Sequence, residues 1–295
     1  MKILITGANG QLGSEFVKQA QYAGYDILAT DVQDMDITDI QEVKKTFSDF
    51  LPQLVVNAAA YTLVDKAQTE QEICYAINAQ GPGNLALVCA KSHLPLIHIS
   101  TDYVFDGTKG SAYIESDPIA PLDVYGKTKA QGEKNIWSQL NQHIILRTSW
   151  LYSVHGTNFV KTMLKLGKKN KQVSVVADQY GSPTSASDLA QAVLDIADFI
   201  KKRNALQWGI YHYSGLGVTT WYEFAKNIFE IAGKCSPLAV SEILPVTTHE
   251  YPTPAKRPVF SALDSGRIKQ KFNISPKPWR KSLETTIHRI LKRQI

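Results

Sequence analysis

The chain has 295 residues, 44% hydrophobic and 20% charged, with a formal net charge of +5. That composition excludes disordered, collagenous and coiled-coil classes, and the length suits one large domain or two small ones. No run approaches the roughly 18–20 apolar residues of a membrane span. The apolar stretch from Met1 to Thr6 is too short for a signal peptide and leads straight into glycines, so a cytoplasmic protein without membrane contact is expected.

Taken in chain order, Lys2–Thr6 reads as a strand, followed by a glycine turn and an amphipathic helix over 11–23. A strand at Asp26–Thr30, a helix at Ile40–Phe50 and a strand at Leu54–Asn57 come next. One long helix is predicted over 70–91, then a strand at 96–100, a helix at 125–139 and a strand at 144–148. Apolar strands alternating with helices imply a doubly wound α/β domain whose parallel sheet is covered on both faces. Beyond Trp150 the rhythm loosens into a helix at 158–166, a strand at 173–177, a helix at 187–200 and a strand at 209–213. The last third is rich in proline and irregular. The expected division is a Rossmann-type cofactor domain over 1–150 and 172–215, with a smaller discontinuous substrate lobe over 151–171 and 216–295. The lobe would sit over the carboxyl ends of the strands, where open α/β sheets bind ligands.

The turn after the first strand carries Gly7, Gly10 and Gly13 in GxxGxxG spacing, with Ala8, Asn9, Gln11 and Leu12 between them. Glycines there permit a tight turn and close backbone approach to a pyrophosphate, and the helix N-terminus beyond offers free N–H groups. Asp31 closes the second strand 18 residues past Gly13, placed to accept hydrogen bonds from an adenosine ribose. Its charge opposes a 2′-phosphate, and Val32 supplies no cation, so NADH is tolerated beside NADPH. Asp36 and Ile37 either flank the adenine or form a simple turn. The small residues Ala58, Ala59 and Ala60 after Asn57 let a flat ring approach the backbone, or serve sheet–helix packing.

Tyr125 and Lys129 stand at i and i+4, on one helical face. A free phenol titrates near 10, and a neighbouring ammonium would lower that value and ease proton exchange. Tyr222 and Lys226 repeat the spacing, so position must decide. Tyr125 follows the strand whose carboxyl end carries Ser100, Thr101, Asp102 and Tyr103, and its helix brings it to the same crevice. Tyr222 falls in the second lobe, without an identifiable hydroxyl partner.

With these motifs the chain resembles the extended short-chain dehydrogenase/reductase superfamily, and within it the dTDP-4-dehydrorhamnose reductase family. The carriers are residues 6–13, 57–62, 65–67, 100–105, 125–129, 147–150, 158–159, 178–184 and 257–258. The resemblance implies NAD(P)H-dependent reduction of a C4 keto group on a dTDP-linked deoxysugar. Tyr125 would donate the proton, Thr101 would bond the carbonyl oxygen, and Lys129 would hold the nicotinamide ribose and depress the Tyr125 pKa. It implies cofactor contacts from the glycine turn, Asp31, Asp36, Ile37, Ala58, Ala59, Ala60, Tyr61 and Thr62. Substrate contacts would come from Asp102, Tyr103, Trp150 and Asn158, with core packing the other role open to Tyr103 and Trp150. Arg257 would meet the diphosphate or else form a surface ion pair. Dehydratases of the superfamily carry an Asp-Glu pair after the Thr; here Tyr103 replaces the Glu, which leaves carbonyl reduction. Other readings are a regulatory nucleotide-binding subunit of the methionine adenosyltransferase type, or a reductase or epimerase of another nucleotide sugar.

Some members of the family hold Mg²⁺ at a dimer interface through carboxylates near the C-terminus. Beyond Asp264 this chain has Glu284 as its one acid among nine Lys and Arg, so no tightly bound metal is expected, and the chain is a monomer or a homodimer. The basic segment, which includes Arg293, lacks a nucleic-acid recognition motif and reads as a solvated helix face. Cys74, Cys89 and Cys235 are spaced for neither disulfides nor zinc and are expected to be buried, inert thiols.

Overall fold

The computed structural model describes residues 1–202 and 207–292. Arg293 lies outside the described residues.

The first strand, β1 (Lys2–Thr6), is apolar and buried almost throughout. Helix α1 (Gln11–Tyr22) turns Leu12, Phe16 and Ala20, spaced four apart, onto one buried face. Strand β2 (Asp26–Thr30) follows, then α2 (Ile40–Phe50), whose N-cap Asp39 accepts from the backbone of Gln41. Strand β3 (Leu54–Asn57) is wholly buried.

The helix predicted over 70–91 is not continuous. A short α3 (Gln71–Tyr75) passes through a π-helical segment, Ala76–Gln80, into α4 (Gly81–Lys91). Asn78, inside that segment, exchanges two hydrogen bonds with the backbone of Tyr61, at 2.9 and 3.0 Å. The widened turn aims a buried amide at the loop after β3, a use typical of π-bulges near functional sites.

Strand β4 (Leu96–Thr101), helix α5 (Val124–Trp137) and strand β5 (His143–Thr148) complete the first half. The lobe then opens with β6 (Leu151–Tyr152), α6 (Phe159–Lys169), β7 (Gln172–Val176) and the short strands β8 (Tyr180–Gly181) and β9 (Thr184–Ser185). Helix α7 (Ala186–Lys201) and strand β10 (Gly209–His212) return to the first domain. Strand β11 (Thr219–Thr220), α8 (Trp221–Gly233), β12 (Glu242–Val246), α9 (Gly266–Phe272) and α10 (Trp279–Lys292) follow.

Six strands form one parallel sheet in the order β10-β5-β4-β3-β1-β2. The chain moves outward from β1 to β2 and then crosses back to β3, so the winding reverses between β1 and β3. Crevices at the carboxyl ends of such strands are where doubly wound sheets hold ligands. One face of the sheet packs on Phe16, Leu189, Val193 and Ile268 from α1, α7 and α9. The other packs on Val43, Phe47, Leu85 and Ile136 from α2, α4 and α5.

The lobe has its own core, built around Tyr152, Phe224, Trp279 and Leu283. The strand near 173, expected in the cofactor domain, pairs instead with β12 and contributes Val173 and Val175 to the lobe core. We therefore propose that the return to the sheet domain begins at α7 rather than at residue 172. Among the thiols, Cys74 and Cys89 are buried, but Cys235 is exposed, two residues past the end of α8 at Gly233.

Candidate active site

The glycine turn is shaped by backbone demands. Gly7 has φ +70°, and a Cβ there would come within 2.6 Å of the Ala59 nitrogen. At Gly13 a Cβ would lie 2.1 Å from the Gly7 carbonyl oxygen, so α1 can start this close to β1 only without a side chain. Gly10 caps α1 without any side-chain hydrogen bond, leaving the first-turn N–H groups directed into the crevice. Asp31 takes the Asn9 N–H at 3.0 Å and sits at the end of β2. A positive-φ turn, an uncapped helix N-terminus and a carboxylate at the next strand end fit a dinucleotide's diphosphate and ribose. Gly13→Ala is expected to cost at least tenfold in affinity for the reduced cofactor, read by fluorescence titration; unchanged binding would contradict this role.

The other expected cofactor residues divide by environment. Leu12 and Ile37 are core side chains, 5% exposed each, so only their backbones are available. Asp36 accepts the Thr38 N–H at 2.8 Å, a local turn. Ala58, Ala59 and Ala60 leave β3 beside Gly7, and Tyr61 is fixed by Asn78 and by a hydrogen bond from its hydroxyl to Glu70. Thr62 is exposed.

The hydroxyl groups meet where β4 ends. The Thr101 side chain caps the short turn after the strand, accepting the Tyr103 N–H at 3.1 Å. It also donates to Asp102 Oδ1 at 3.1 Å. Asp123 caps α5 by accepting the Gly126 N–H, which sets the helix start and delivers Tyr125 to the same place. The Thr101 and Tyr125 hydroxyls are hydrogen-bond partners, and Tyr103 stands edge-on to the Tyr125 ring at 5.7 Å. Burial pushes the Tyr125 pKa up, the Thr101 bond opposing it in part.

Lys129 corrects one expectation. Lys129 is not among the groups that shift Tyr125; its Nζ points at the Ile99 carbonyl, 2.7 Å away, and at His98 Nε2, 3.3 Å away. Lys129 is only 2% exposed, and burial lowers its pKa to about 8. The second Tyr–Lys pair is a surface feature of α8. Lys226 bonds to Glu223 at 3.1 Å and lies over the Tyr222 ring.

Asp102 is buried, and desolvation raises its pKa to about 7, against hydrogen bonds from Ser261 and Thr101 that lower it. Folded protein then keeps this proton up to about pH 7, whereas the unfolded chain releases it near the ordinary 3.8. The folded state is thus penalised increasingly as pH rises through that window. Asp102→Asn is expected to raise the melting temperature at pH 8 by several degrees, a gain on the order of 1–3 kcal/mol. Below pH 4 it should change little. A destabilised variant at pH 8 would contradict the assignment.

The remaining expected substrate residues are held by other groups. Trp150 stacks on Trp221 with centroids 3.6 Å apart and carries φ +47°, a strained backbone for a bulky residue. Asn158 caps α6 and donates to Gln11 Oε1 at 2.9 Å, tying the lobe to the glycine turn. Arg257 pairs with Asp65 at 2.9 Å, and Asp65 Oδ1 also accepts the Ala255 N–H. The pair fastens the lobe to the loop after β3. Trp221 had no signal as a functional residue beyond an aromatic at a helix start, and Asp65 stood only among the residues that carry the resemblance, with no role assigned to it. Among the described residues, no group of three or more His, Cys, Asp or Glu is arranged to hold a metal, and no helix is long and apolar enough to cross a membrane.

Comparison with known proteins adds names to this geometry. The family model of the RmlD substrate binding domain matches residues 1–292. A dTDP-4-dehydrorhamnose reductase from Aggregatibacter actinomycetemcomitans is 43% identical over 285 residues, covering 96% of this chain and 97% of that protein. A crystal structure of a dTDP-4-dehydrorhamnose reductase from Clostridium acetobutylicum superposes with TM-score 0.91 at 42% identity, covering 99% of this chain and 100% of its own. The Bacillus anthracis dTDP-4-dehydrorhamnose reductase, solved in complex with NADP, gives TM-score 0.89 at 38% identity over 98% of this chain and 99% of its own.

Proposed function

The chain belongs to the family defined by the RmlD substrate binding domain, and from that premise we propose that it reduces the C4 keto group of dTDP-4-dehydro-L-rhamnose to dTDP-L-rhamnose with NAD(P)H. One observation carries the reading beyond kinship: Tyr125 and Thr101 converge at the carboxyl end of β4, in the crevice that the glycine turn opens. A reduced nicotinamide bound there supplies the hydride.

The chain's own residues do the rest. The first-turn N–H groups of α1 bind diphosphate, and Asp31 accepts from ribose hydroxyls. Reduction leaves an oxyanion at C4 that must gain a proton, so the catalytic phenol has to arrive protonated. Burial, by raising the Tyr125 pKa, keeps that proton in place at neutral pH. Thr101 orients the phenol, and Lys129 on the same helix serves the nicotinamide ribose. Tyr103, where a dehydratase carries an acidic residue, offers no base for eliminating water. Asp102, Tyr103, Trp150 and Asn158 form the sugar side of the crevice, and Arg257, whose guanidinium Asp65 holds in place, meets the diphosphate. The unpaired thiols Cys74, Cys89 and Cys235 fit a reducing cytoplasm. We take the chain to act as a monomer or a homodimer.

The test is to mix the purified protein with NADPH or NADH and dTDP-4-dehydro-L-rhamnose and follow loss of the reduced cofactor's absorbance. Turnover is expected with both cofactors. No oxidation of either would leave a protein that only holds nucleotide.

A further inference from the structure

Behind the crevice, between β3, β4 and α5, runs a buried line of side chains, Thr6, Asn57 and His98, that the reaction above does not use and that ends on Lys129. Thr6 Oγ1 donates to Asn57 Oδ1 at 2.8 Å, and the Ala59 N–H donates to the same oxygen at 3.1 Å. A backbone N–H can only donate, so Oδ1 must face it, and the amide NH₂ turns toward His98 Nδ1 at 3.0 Å. His98 Nδ1 therefore accepts, and a neutral ring carries its proton on Nε2. That Nε2–H faces Lys129 Nζ at 3.3 Å, while Nζ itself donates to the Ile99 carbonyl at 2.7 Å. An ammonium in this position sets N–H against N–H; an amine accepts with its lone pair. Asn57 and His98 are fully buried and Lys129 nearly so, so bulk solvent does not reach the pair to relieve the conflict.

We propose that His98 is a positioning residue for Lys129: through the Asn57-fixed tautomer it holds the amine as a hydrogen-bond acceptor and sets the pH at which this lysine takes up its proton. Glu133 on α5 and Cys74 on α3 pull the other way, toward the ammonium, with Tyr125 one turn earlier on α5. Burial outweighs them and brings Lys129 down to about 8, while burial and the neighbouring Lys129 hold His98 well below the usual histidine range. The inference deepens the role given to Lys129 above and rests on that reading for its meaning in catalysis, though not for its test.

The test is NMR of the full chain without added nucleotide, labelled with ¹³C in lysine and ¹⁵N in histidine. One lysine Cε resonance, missing from a Lys129→Met sample, is expected to titrate about two pH units below ordinary lysines near 10.4. The His98 nitrogens should read as protonated Nε2 and bare Nδ1 throughout the neutral range. His98→Asn keeps an acceptor for the Asn57 amide but removes the Nε2–H. In that variant the Lys129 midpoint should rise by about one pH unit, a tenfold change in proton affinity. A proton on Nδ1, a Lys129 titrating with the other lysines, or one midpoint shared by wild type and variant would each overturn the proposal. If the variant does not fold, the wild-type tautomer and midpoint decide. An inactive wild type giving the expected spectra would sink the reductase reading and leave this proposal standing.

Discussion

Tyr125→Phe is expected to lower kcat for ketone reduction by about 10²- to 10⁴-fold, the range lost with a positioned general acid. The ring, its edge-on contact with Tyr103 and its place beside Tyr61 are all retained, so the fold and cofactor affinity should not change. What disappears is the phenolic proton that Tyr125 brings beside Thr101 at the end of β4. Tyr222→Phe is the matched control. That ring lies on α8 beneath Lys226, whose ammonium is already committed to Glu223, and its loss should leave turnover at the wild-type level. Near-normal turnover in Tyr125→Phe would remove the proton donor from the account.

The largest effect on stability is expected at Glu133. Its carboxylate forms a two-pronged pair with Arg147, at 2.9 and 2.7 Å, and accepts from Ser100 at 2.5 Å, with both charged side chains 2% exposed. On the far side of Arg147 stands His212, whose pKa burial and the guanidinium hold down to about 3. Glu133→Ala leaves the guanidinium buried between a neutral imidazole and the Phe105 ring, without its carboxylate partner. Breaking such a pair costs about 3–5 kcal/mol. Replacing both partners, as in Glu133→Leu with Arg147→Met, should recover much of that loss, because the desolvation penalty leaves with the charges. Chemical denaturation reads both, and a cost below about 1 kcal/mol for the single variant would contradict the reading. Ser100 is bonded to this pair one residue before Thr101, so a smaller loss of activity should accompany it.

Most of the frame was legible because its signals are local. Apolar strands, glycines at a strand-to-helix junction and Asp31 at the next strand end each follow from chain geometry, and the parallel pairing of the sheet follows from the alternation of strands and helices. The π segment at Ala76–Gln80 was not legible. It exists because Asn78 is recruited by Tyr61 from another loop, and nothing within residues 70–91 announces that partner. The pairing of β7 with β12 was hidden for a similar reason, since a parallel partner 70 residues away leaves no local pattern.

At the site, residue types and spacing brought Thr101 and Tyr125 together on paper. Helical spacing placed Lys129 on the face of Tyr125 but could not say where its amine points. That direction is set by His98 and the Ile99 carbonyl on β4, and it reverses the expected electrostatics: burial, rather than a neighbouring cation, governs the phenol. Arg257 and Trp150 show the same limit, because their partners Asp65 and Trp221 lie far off in sequence.

The central claim is that hydride passes to C4 of the dTDP-sugar in this crevice. It is tested most directly by running the reaction with reduced cofactor carrying deuterium at the nicotinamide C4 and reading the product by NMR. The account predicts dTDP-L-rhamnose with deuterium at sugar C4 and nowhere else. Product without the label there, or cofactor left unoxidised beside intact substrate, would contradict it.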